Sequence, residues 1–480
     1  MPRLIGLDVG TSSVKGIAID EAGTVLRIAE RGYPLSTPHP GWAEQDPEDW
    51  VRAAVAVLEE LDGDQADGIG LAGQMHGLVA LDEDDRPLRP AILWNDGRTQ
   101  AQCDEIEALV GRDRLLSLTG NRALAGFTAP KLLWLREHEP EVYARIRHVL
   151  LPKDYVRLRL CGELATDVSD ASGTLLFDVA AREWSAELVA TLGIDPSWLP
   201  VALESVAVSG RTPAGVPVAA GAGDQAAGAL GVGVVRETGV GGGVSVVLGT
   251  SGVVFAARDA YACDPDGAVH AFCHAVPDAW HVMGVMLSAA GSLAWLQTVA
   301  APGVSNDAQL AEAAAWDPGA EGLLFAPYLA GERTPHADPA ARGMFAGLTL
   351  RHDRGALVRA VVEGVAFALA DGLDRVAALG ARPTVARVSG GGARSRLWLQ
   401  IVASVLDLTL ERTAVDEGAA YGAALLGGVA GGVYPSAEAA ATACVVVADT
   451  VSAPPGWTAR YAALRPGFSA LYEADRALRG

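Results

Sequence analysis

The chain has 480 residues, of which 50% are hydrophobic and 20% charged, and its formal net charge is −21. This length exceeds one ordinary hydrophobic core, so we expect two or more domains, and the composition excludes an intrinsically disordered chain. The acidic balance, with no basic run along the sequence, argues against a protein that binds nucleic acid.

The five cysteines are scattered and lack metal-ligand spacing, which favours free thiols in a reducing compartment. The first strand is predicted to begin near Leu4, with no signal segment before it. We therefore expect a cytoplasmic protein.

Residues 4–18 form an apolar stretch, a Gly-Thr-Ser turn and a second apolar stretch, which predicts a β-hairpin. The turn suits a polyphosphate because glycine admits close approach and consecutive N–H groups form a concavity that binds anions. Asp8 before the turn is either a carboxylate that holds a metal or an ordinary turn residue. The predicted phosphate contacts are Thr11, Ser12, Ser13 and Lys15, although Lys15 could instead be a solvated strand residue.

Two further strands are predicted at 69–72 and 78–81, on either side of the sequence Gly-Gln-Met-His-Gly. Met75 and His76 then lie in a turn where they could contact a sugar, while a purely structural His76 stays open as the alternative. The next loop offers Trp94 as an apolar wall, with core packing as its alternative. The polar groups of this loop are Asn95, Asp96 and Arg98, which could instead form a solvated loop. We expect one or two of these four loop residues to contact substrate.

Residues 100–160 are predicted to be largely helical and 165–182 irregular. A buried strand at 216–220 then leads into a Gly-rich opening that contains Asp224. From the residues alone, Asp224 is either a catalytic carboxylate or the cap of the helix that follows it.

A second hairpin, similar to the first, is predicted at 244–257. Its predicted phosphate contacts are Gly249, Thr250, Ser251 and Gly252. Two such hairpins in corresponding places suggest a duplicated fold that grips one nucleotide from both sides. The Gly-rich tract at 239–245 is the predicted boundary, giving domains 1–240 and 241–480.

In the second half we predict helices at 354–379 and 395–406, with a strand at 385–389 between them. That strand leads into a Gly triplet at 390–392, which alone would be a tight turn. Asp416 is predicted to cap a last helix, and the uncharged stretch 418–434 to be a buried helix and turn, not a membrane span. Alternating strands and helices with paired hairpins predict an α/β fold with mixed sheets.

Eight motifs occur in an order and spacing that are hard to obtain by chance. They are DVGTSSVK (8–15), GQMHG (73–77), LWNDGR (93–98), GFTAPKLLW (126–134), GDQAAG (223–228), LGTSG (248–252), GERTP (331–335) and GGGARS (390–395). Together they resemble the FGGY family of carbohydrate kinases, and the likeness covers nearly the whole chain. The resemblance implies two ribonuclease-H-like domains of the actin/hexokinase type around a cleft.

Within the family, the GQMHG and WNDGR motifs most resemble the members that phosphorylate D-xylulose at its terminal hydroxyl. The resemblance implies Asp224 as the general base, Asp8 as a holder of Mg²⁺ through water, and ATP as the phosphoryl donor. Gly391 and Gly392 would contact the adenine nucleoside. Several relatives carry Asn where this chain has Arg396, and family habit suggests a homodimer. Trp134 is assigned to packing, while Glu332 and Arg333 are expected to order an interdomain loop.

Three rival functions follow from the same residues. One is a related kinase for ribulose, glycerol, gluconate or a deoxyketose, because pocket specificity can depend on a few side chains. Another is an ATPase switch of the actin or heat-shock-chaperone type, which needs the two hairpins but neither a base nor a polar sugar loop. A third is an inactive sugar-binding relative, which the presence of both Asp8 and Asp224 argues against.

Overall fold

The structure is a computed structural model that describes residues 2–238 and 242–479. The predicted boundary between residues 240 and 241 lies outside the described residues. The strands are β1 (Leu4–Val9), β2 (Ser13–Ile19), β3 (Val25–Gly32), β4 (Glu44–Gln45), β5 (Gly68–Gly73), β6 (Val79–Leu81), β7 (Ala91–Ile92), β8 (His148–Leu150), β9 (Ala165–Asp167), β10 (Phe177–Asp178), β11 (Glu183–Trp184), β12 (Val201–Leu203), β13 (Val208–Arg211), β14 (Pro217–Ala219), β15 (Ala222–Gly223), β16 (Val244–Leu248), β17 (Gly252–Arg258), β18 (His270–Cys273), β19 (Trp280–Met286), β20 (Leu324–Ala326), β21 (Met344–Ala346), β22 (Val385–Ser389), β23 (Thr409–Thr413) and β24 (Val447–Val451). The helices are α1 (Pro47–Glu60), α2 (Gln100–Val110), α3 (Arg112–Thr119), α4 (Thr128–His138), α5 (Pro140–Tyr143), α6 (Pro152–Cys161), α7 (Val168–Ala171), α8 (Ala186–Thr191), α9 (Asp224–Gly231), α10 (Ala290–Ala300), α11 (Asn306–Ala313), α12 (Arg354–Ala378), α13 (Arg396–Leu406), α14 (Gly418–Ala430), α15 (Ala437–Cys444) and α16 (Trp457–Arg479).

Two large sheets have the same topology over six of their seven strands. The first has the order β13-β14-β5-β1-β2-β3, with β15 also paired to β5, and the second has the order β18-β19-β17-β16-β22-β23-β24. Each sheet contains an antiparallel hairpin, β1–β2 in the first and β16–β17 in the second. The first strand of the hairpin pairs in parallel with the next strand of the sheet (β5 or β22), and that strand pairs in parallel with a further one (β14 or β23). The predicted α/β class, the mixed sheets and the duplicated fold are therefore confirmed.

Local sequence signals account for several helix ends. Asp46 accepts a hydrogen bond from the Glu48 N–H (3.0 Å) and Pro47 is the first residue of α1, as predicted. The predicted cap at Asp416 is wrong, because Glu417 occupies the cap position of α14 without a side-chain bond. That helix is also not the last, since α15 and α16 follow it.

Each sheet has its own core. Apolar side chains of the first sheet pack with those of α1 and α6, and those of the second sheet pack with α12, which is buried along most of its 25 residues. None of the described helices is long and apolar enough to cross a membrane.

Helix α14 belongs to the second half of the chain but packs against the first sheet and against α9. Backbone meets backbone in this contact: a Cβ on Gly70 would collide with the Ala423 carbonyl oxygen, and one on Gly422 with the Ala227 carbonyl oxygen. Only residues without a side chain permit this approach. The predicted small-residue helix is thus a close-packed connection between the two halves.

Candidate active site

Three parallel strands of the first sheet end at one edge, and two acidic residues lie there. In the pairing register, Asp8 of β1 and Ala222 of β15 both lie opposite Ala72 of β5. Asp224 follows two residues after Ala222, so it lies at the same edge as Asp8. The carboxyl ends of parallel strands are where open α/β sheets bind their ligands.

Asp224 is the first residue of α9, and Gly223 occupies the cap position of that helix. Burial, together with the negative charge of Asp8, raises the pKa of Asp224 to about 7. A carboxylate with a pKa near neutrality can accept a proton at physiological pH, which is the property of a general base. The residue lines a cavity described below, so the carboxylate has access to a ligand.

Asp8 has a different environment. Burial raises its pKa to about 6, although the charge of Lys15, its partner across the β1–β2 hairpin, acts in the opposite direction. One carboxylate oxygen, Oδ1, is buried and has no hydrogen-bond partner among the described residues. A buried, unsatisfied oxygen of this kind suits an ordered water or a hard cation such as Mg²⁺.

The turns of the two hairpins present the same backbone groups. The N–H groups of Thr11 and Ser12 in the first turn donate to no acceptor among the described residues, and those of Thr250 and Ser251 in the second turn also donate to none. Consecutive free N–H groups form an anion-binding concavity. Both turns therefore present consecutive free N–H groups, and phosphate binding by them stays a prediction.

Most side chains of the first turn already have hydrogen-bond or ion-pair partners within the protein. The Thr11 hydroxyl accepts from the Trp94 indole N–H (3.0 Å) and donates to Gln74 (3.1 Å), whereas Ser12 is exposed. Ser13 donates to Glu30 on β3 (2.6 Å), so its hydroxyl is turned to the neighbouring strand. The ammonium group of Lys15 forms an ion pair with Glu417, which joins the two halves of the chain. Only Ser12 of these four side chains is free of other described partners.

In the second turn, Gly249 and Thr250 contact the start of α10 through their carbonyls, which accept from the N–H groups of Ala290 and Ala289 (both 2.8 Å). Thr250 is exposed, and Gly252 is the first residue of β17. Ser251 lines the same cavity as Asp224.

The Gly triplet follows β22, the strand parallel to β16. Gly390 has φ +90°, a conformation that favours glycine, and Gly392 packs against Leu248 just before the second turn. Gly391 is exposed, with open space around it. The side chain of Arg396 is 68% exposed and lies 3.7 Å from Asp449. The triplet therefore offers a bare backbone surface next to the second phosphate turn.

Met75 and His76 form a tight turn after β5. The Gly77 N–H donates to the Met75 carbonyl (2.9 Å), and His76 at the centre of the turn has φ +69°, a strained conformation. Nδ1 of His76 lies 2.7 Å from the Gly173 carbonyl, and burial lowers the pKa of His76 to about 3. The ring is therefore neutral, with Nδ1–H donating and Nε2 free to accept from a ligand hydroxyl.

The polar loop after β7 separates into two groups. Trp94 is 39% exposed and lines the cavity, and Asn95 is exposed but does not line it. Asp96 and Arg98 are buried and bond to each other (2.6 Å), and Arg98 also pairs with Glu44 (2.7 Å). Their polar groups are thus used within the protein, where they hold the loop that presents Trp94.

A cavity of about 180 Å³ lies where these elements meet. This volume is below the range of about 300–1,000 Å³ for drug-sized ligands and suits a small one. Residues of both halves line it: Met75, His76, Trp94, Leu124, Gly126, Phe127, Asp224, Gln225, Ser251, Val253, Met283, Val285 and Arg333. Five of the predicted site residues are in this set. A larger cavity of about 430 Å³ borders α1 and contains none of them.

Sequence reasoning missed two of the three lysines, although their rarity was a usable signal. Lys131 is fully buried and donates to the carbonyls of His76 (2.8 Å) and Gly126 (2.7 Å), so it fixes the strained turn. Lys153 is also fully buried, and its Nζ lies 2.6–2.9 Å from carboxylate oxygens of three aspartates. These are Asp154, Asp167 and Asp170. Because the ammonium group occupies their centre, this acidic cluster is a salt-bridge network and not a metal site.

The Lys153 network supports the loop before Asp224. Ser169 donates to Asp167 (2.5 Å) and accepts from the Gly223 N–H (3.1 Å). The same short segment supplies the Gly173 carbonyl that accepts from His76. A segment that the sequence predicted to be irregular thus positions both the carboxylate and the imidazole.

The chain matches two family domains. Residues 3–231 match the N-terminal domain, and residues 244–431 the C-terminal domain, of the FGGY family of carbohydrate kinases. In sequence it is 47% identical over 442 residues to the xylulose kinase of Escherichia coli, covering 89% of this chain and 90% of the relative. It is 39% identical over 454 residues to that of Bacillus subtilis, covering 91% and 90%.

A solved structure, the xylulose kinase of Rhodospirillum rubrum, superimposes with a TM-score of 0.91 at 34% identity and covers 99% of each chain. Matches of this extent include both hairpins, the cavity and the edge with the two acidic residues. The chain belongs to the FGGY family of carbohydrate kinases.

Proposed function

We propose that this protein transfers the γ-phosphoryl group of ATP to the terminal hydroxyl of D-xylulose, with Asp224 as the general base. The observation that supports this most is the Asp224 carboxylate, which has a pKa of about 7 and lines a small cavity together with Ser251 of the second phosphate turn. The xylulose kinases at 39% and 47% identity support the choice of sugar.

In this reaction the Asp224 carboxylate accepts the proton of the attacking hydroxyl. The hydroxyl oxygen forms a bond to the γ-phosphorus while the bond to the leaving ADP oxygen breaks. A positioned base of this kind contributes about 10²- to 10⁴-fold in rate. Met75, His76 and Trp94 line the cavity and bind the sugar, with Nε2 of His76 as an acceptor for a sugar hydroxyl.

The two turns bind the phosphates of ATP from opposite sides through their free N–H groups, and the exposed Gly391 backbone with Gly392 adjoins the nucleoside. Asp8 would hold Mg²⁺ through water, for which its unsatisfied buried oxygen is suited. The ion, when bound, neutralises charge on the phosphoryl oxygens. Asp96 and Arg98 act indirectly, by holding the loop of Trp94, whereas Asn95 is exposed and does not line the cavity.

The test is an assay of ADP release with Mg-ATP and a panel of acceptors: D-xylulose, L-xylulose, D- and L-ribulose, glycerol, gluconate and no sugar. We expect strong turnover with D-xylulose, lost in Asp224→Ala and retained in the control Asp407→Asn, which alters an exposed carboxylate at the end of α13. Turnover on another sugar would keep the mechanism and change the substrate. ADP release that no sugar alters and the mutation does not affect would refute the kinase assignment.

A further inference from the structure

Arg333 is held rigidly at the wall of the cavity by its two neighbours. The Glu332 carboxylate accepts from the N–H groups of Leu287 (3.1 Å) and Arg333 (2.7 Å). Thr334 donates through its N–H to the Val285 carbonyl (3.0 Å), and its hydroxyl accepts from the Val285 N–H (3.0 Å). Because both flanking residues are fixed to the end of β19, the backbone that presents Arg333 has little freedom to move.

The guanidinium group of Arg333 has no partner in the part of the chain that the structure describes. Among the described residues, it donates to no acceptor and has no carboxylate oxygen within ion-pairing distance. Burial lowers its pKa, and the side chain lines the cavity with Met75 and Asp224. Arg333 is half-buried, so its five N–H donors are open to the cavity, where a ligand can supply the acceptor that the protein does not.

Arg333 and Asp224 influence different parts of the cavity. The positive charge of Arg333 contributes to the lowered pKa of His76 and of His270. The charge that shifts the pKa of Asp224 is that of Asp8. The backbone of Arg333 is fixed to the end of β19 in the second sheet, whereas Asp224 lies at an edge of the first sheet, so the guanidinium group and the carboxylate enter the cavity from different walls.

The open-chain form of the sugar offers a group that could bind Arg333. A five-carbon 2-ketose closes its furanose ring through the C5 oxygen, so the ring form has no free C5 hydroxyl. Phosphorylation at C5 consequently requires the open chain, in which C2 is a free carbonyl. That carbonyl is an acceptor without a proton of its own and matches a guanidinium donor.

We propose that Arg333 donates to the C2 carbonyl oxygen of the open-chain ketose and thereby selects the reactive form of the substrate. This assignment rests on the proposed function. It makes Arg333 the determinant that separates ketoses from their reduced alditols, while His76 and Trp94 bind features that both share.

The test compares four acceptors in wild type, Arg333→Met and Arg333→Lys. D-xylulose has both the C1 hydroxyl and the carbonyl, 1-deoxy-D-xylulose keeps only the carbonyl, and D-arabinitol and xylitol have the carbonyl reduced. We expect Arg333→Met to lower kcat/KM by roughly 10- to 100-fold for both ketoses and by less than about 3-fold for the alditols. Arg333→Lys should restore part of the loss. The control is Arg342→Met, whose side chain donates to the carbonyls of Pro339 and Ala341 outside the cavity.

Several outcomes contradict the proposal. Equal losses for ketoses and alditols would show that Arg333 does not act on the carbonyl. Losses for D-xylulose and the alditols, without one for the deoxyketose, would assign it to the C1 hydroxyl. A higher KM for ATP together with a lower unfolding temperature would make its role structural. Absence of D-xylulose turnover in the wild type would contradict the proposed function itself, and the Arg333 assignment with it.

Discussion

The two hairpins differ most at one equivalent pair of positions. In the first sheet Asp8 lies opposite Lys15 on the hairpin and beside Ala72 on the parallel strand. In the second sheet the corresponding pair is Val247 and Val253. One topology thus carries two charged side chains in one half and two apolar ones in the other.

The difference shows that the two halves share backbone groups but differ in the side chains beside them. The free N–H groups of the turns depend on backbone geometry alone, and both halves have them. The second half has no charge at this pair, and its Val253 is part of the apolar wall of the cavity. The strands beside the hairpins differ in the same way, since β5 leads into Met75 and His76 and β22 leads into the bare backbone of Gly391. The proposed sugar and nucleoside sites therefore follow equivalent strands of two similar sheets.

The largest effect should come from removing the charge that only the first half has. Asp8→Asn should lower kcat/KM by roughly 100-fold and weaken the apparent affinity for Mg²⁺ by at least 10-fold, since a carboxylate that orients a metal through water contributes about this much. Because the Asp8 charge raises the pKa of Asp224, its loss should also move the acid limb of the pH profile to lower pH. Initial rates over a Mg²⁺ series at several pH values measure both.

The matched control for this change is Val247→Ala, at the equivalent position of the second hairpin. It should leave the Mg²⁺ dependence and the acid limb in place. If both variants weakened Mg²⁺ equally, the division between the halves would be wrong.

A second prediction concerns the contact that holds the halves together. Gly422→Ala should destabilise the protein by about 2–4 kcal/mol, because the added Cβ collides with the backbone of α9 at Ala227. Gly228→Ala, in α9, meets nothing within 4 Å and should instead stabilise by about 0.5–1 kcal/mol through helix propensity. Denaturant unfolding monitored by circular dichroism compares the two. Equal stability of both variants would contradict the close packing of α14.

The smallest effect should come from the support below the base. Ser169→Ala leaves the Gly223 N–H without its acceptor, so kcat should fall by about 10-fold while the KM for ATP stays unchanged. Ser172→Ala removes a similar bond, to the Cys273 N–H (3.0 Å) of the second half, and should change kcat by less than about 2-fold. If kcat fell by the same factor in both serine variants, Ser169 would contribute to stability only and would not position Asp224.

Much of the fold followed from local patterns. The hairpins, the cap at Asp46, the long helix from Arg354 and the buried small-residue helix are set by turn chemistry and periodicity within short windows. The likeness of the two Gly-Thr-Ser turns was enough to predict the duplication, since it is a comparison within the sequence itself.

The site was predicted less completely because it depends on contacts between distant residues. Nothing local shows that Arg98 is satisfied by Asp96 and Glu44, or that Ser13 donates to Glu30. The proposal for Arg333 likewise depends on its place in the cavity wall and on the contacts around it in the described residues, which a sequence does not display. Sequence could predict which residue types cluster, whereas their pairing required the structure.

The most direct test of the account is the pH dependence of kcat/KM for D-xylulose in wild type and Asp224→Asn, at saturating Mg-ATP. A base must be ionised to accept a proton, so the wild-type value should be constant above a pKa near 7 and fall about tenfold per pH unit below it. The variant should be roughly 10³-fold slower and lack this limb. A variant within about 5-fold of wild type, or one that keeps the same limb, would contradict Asp224 as the base.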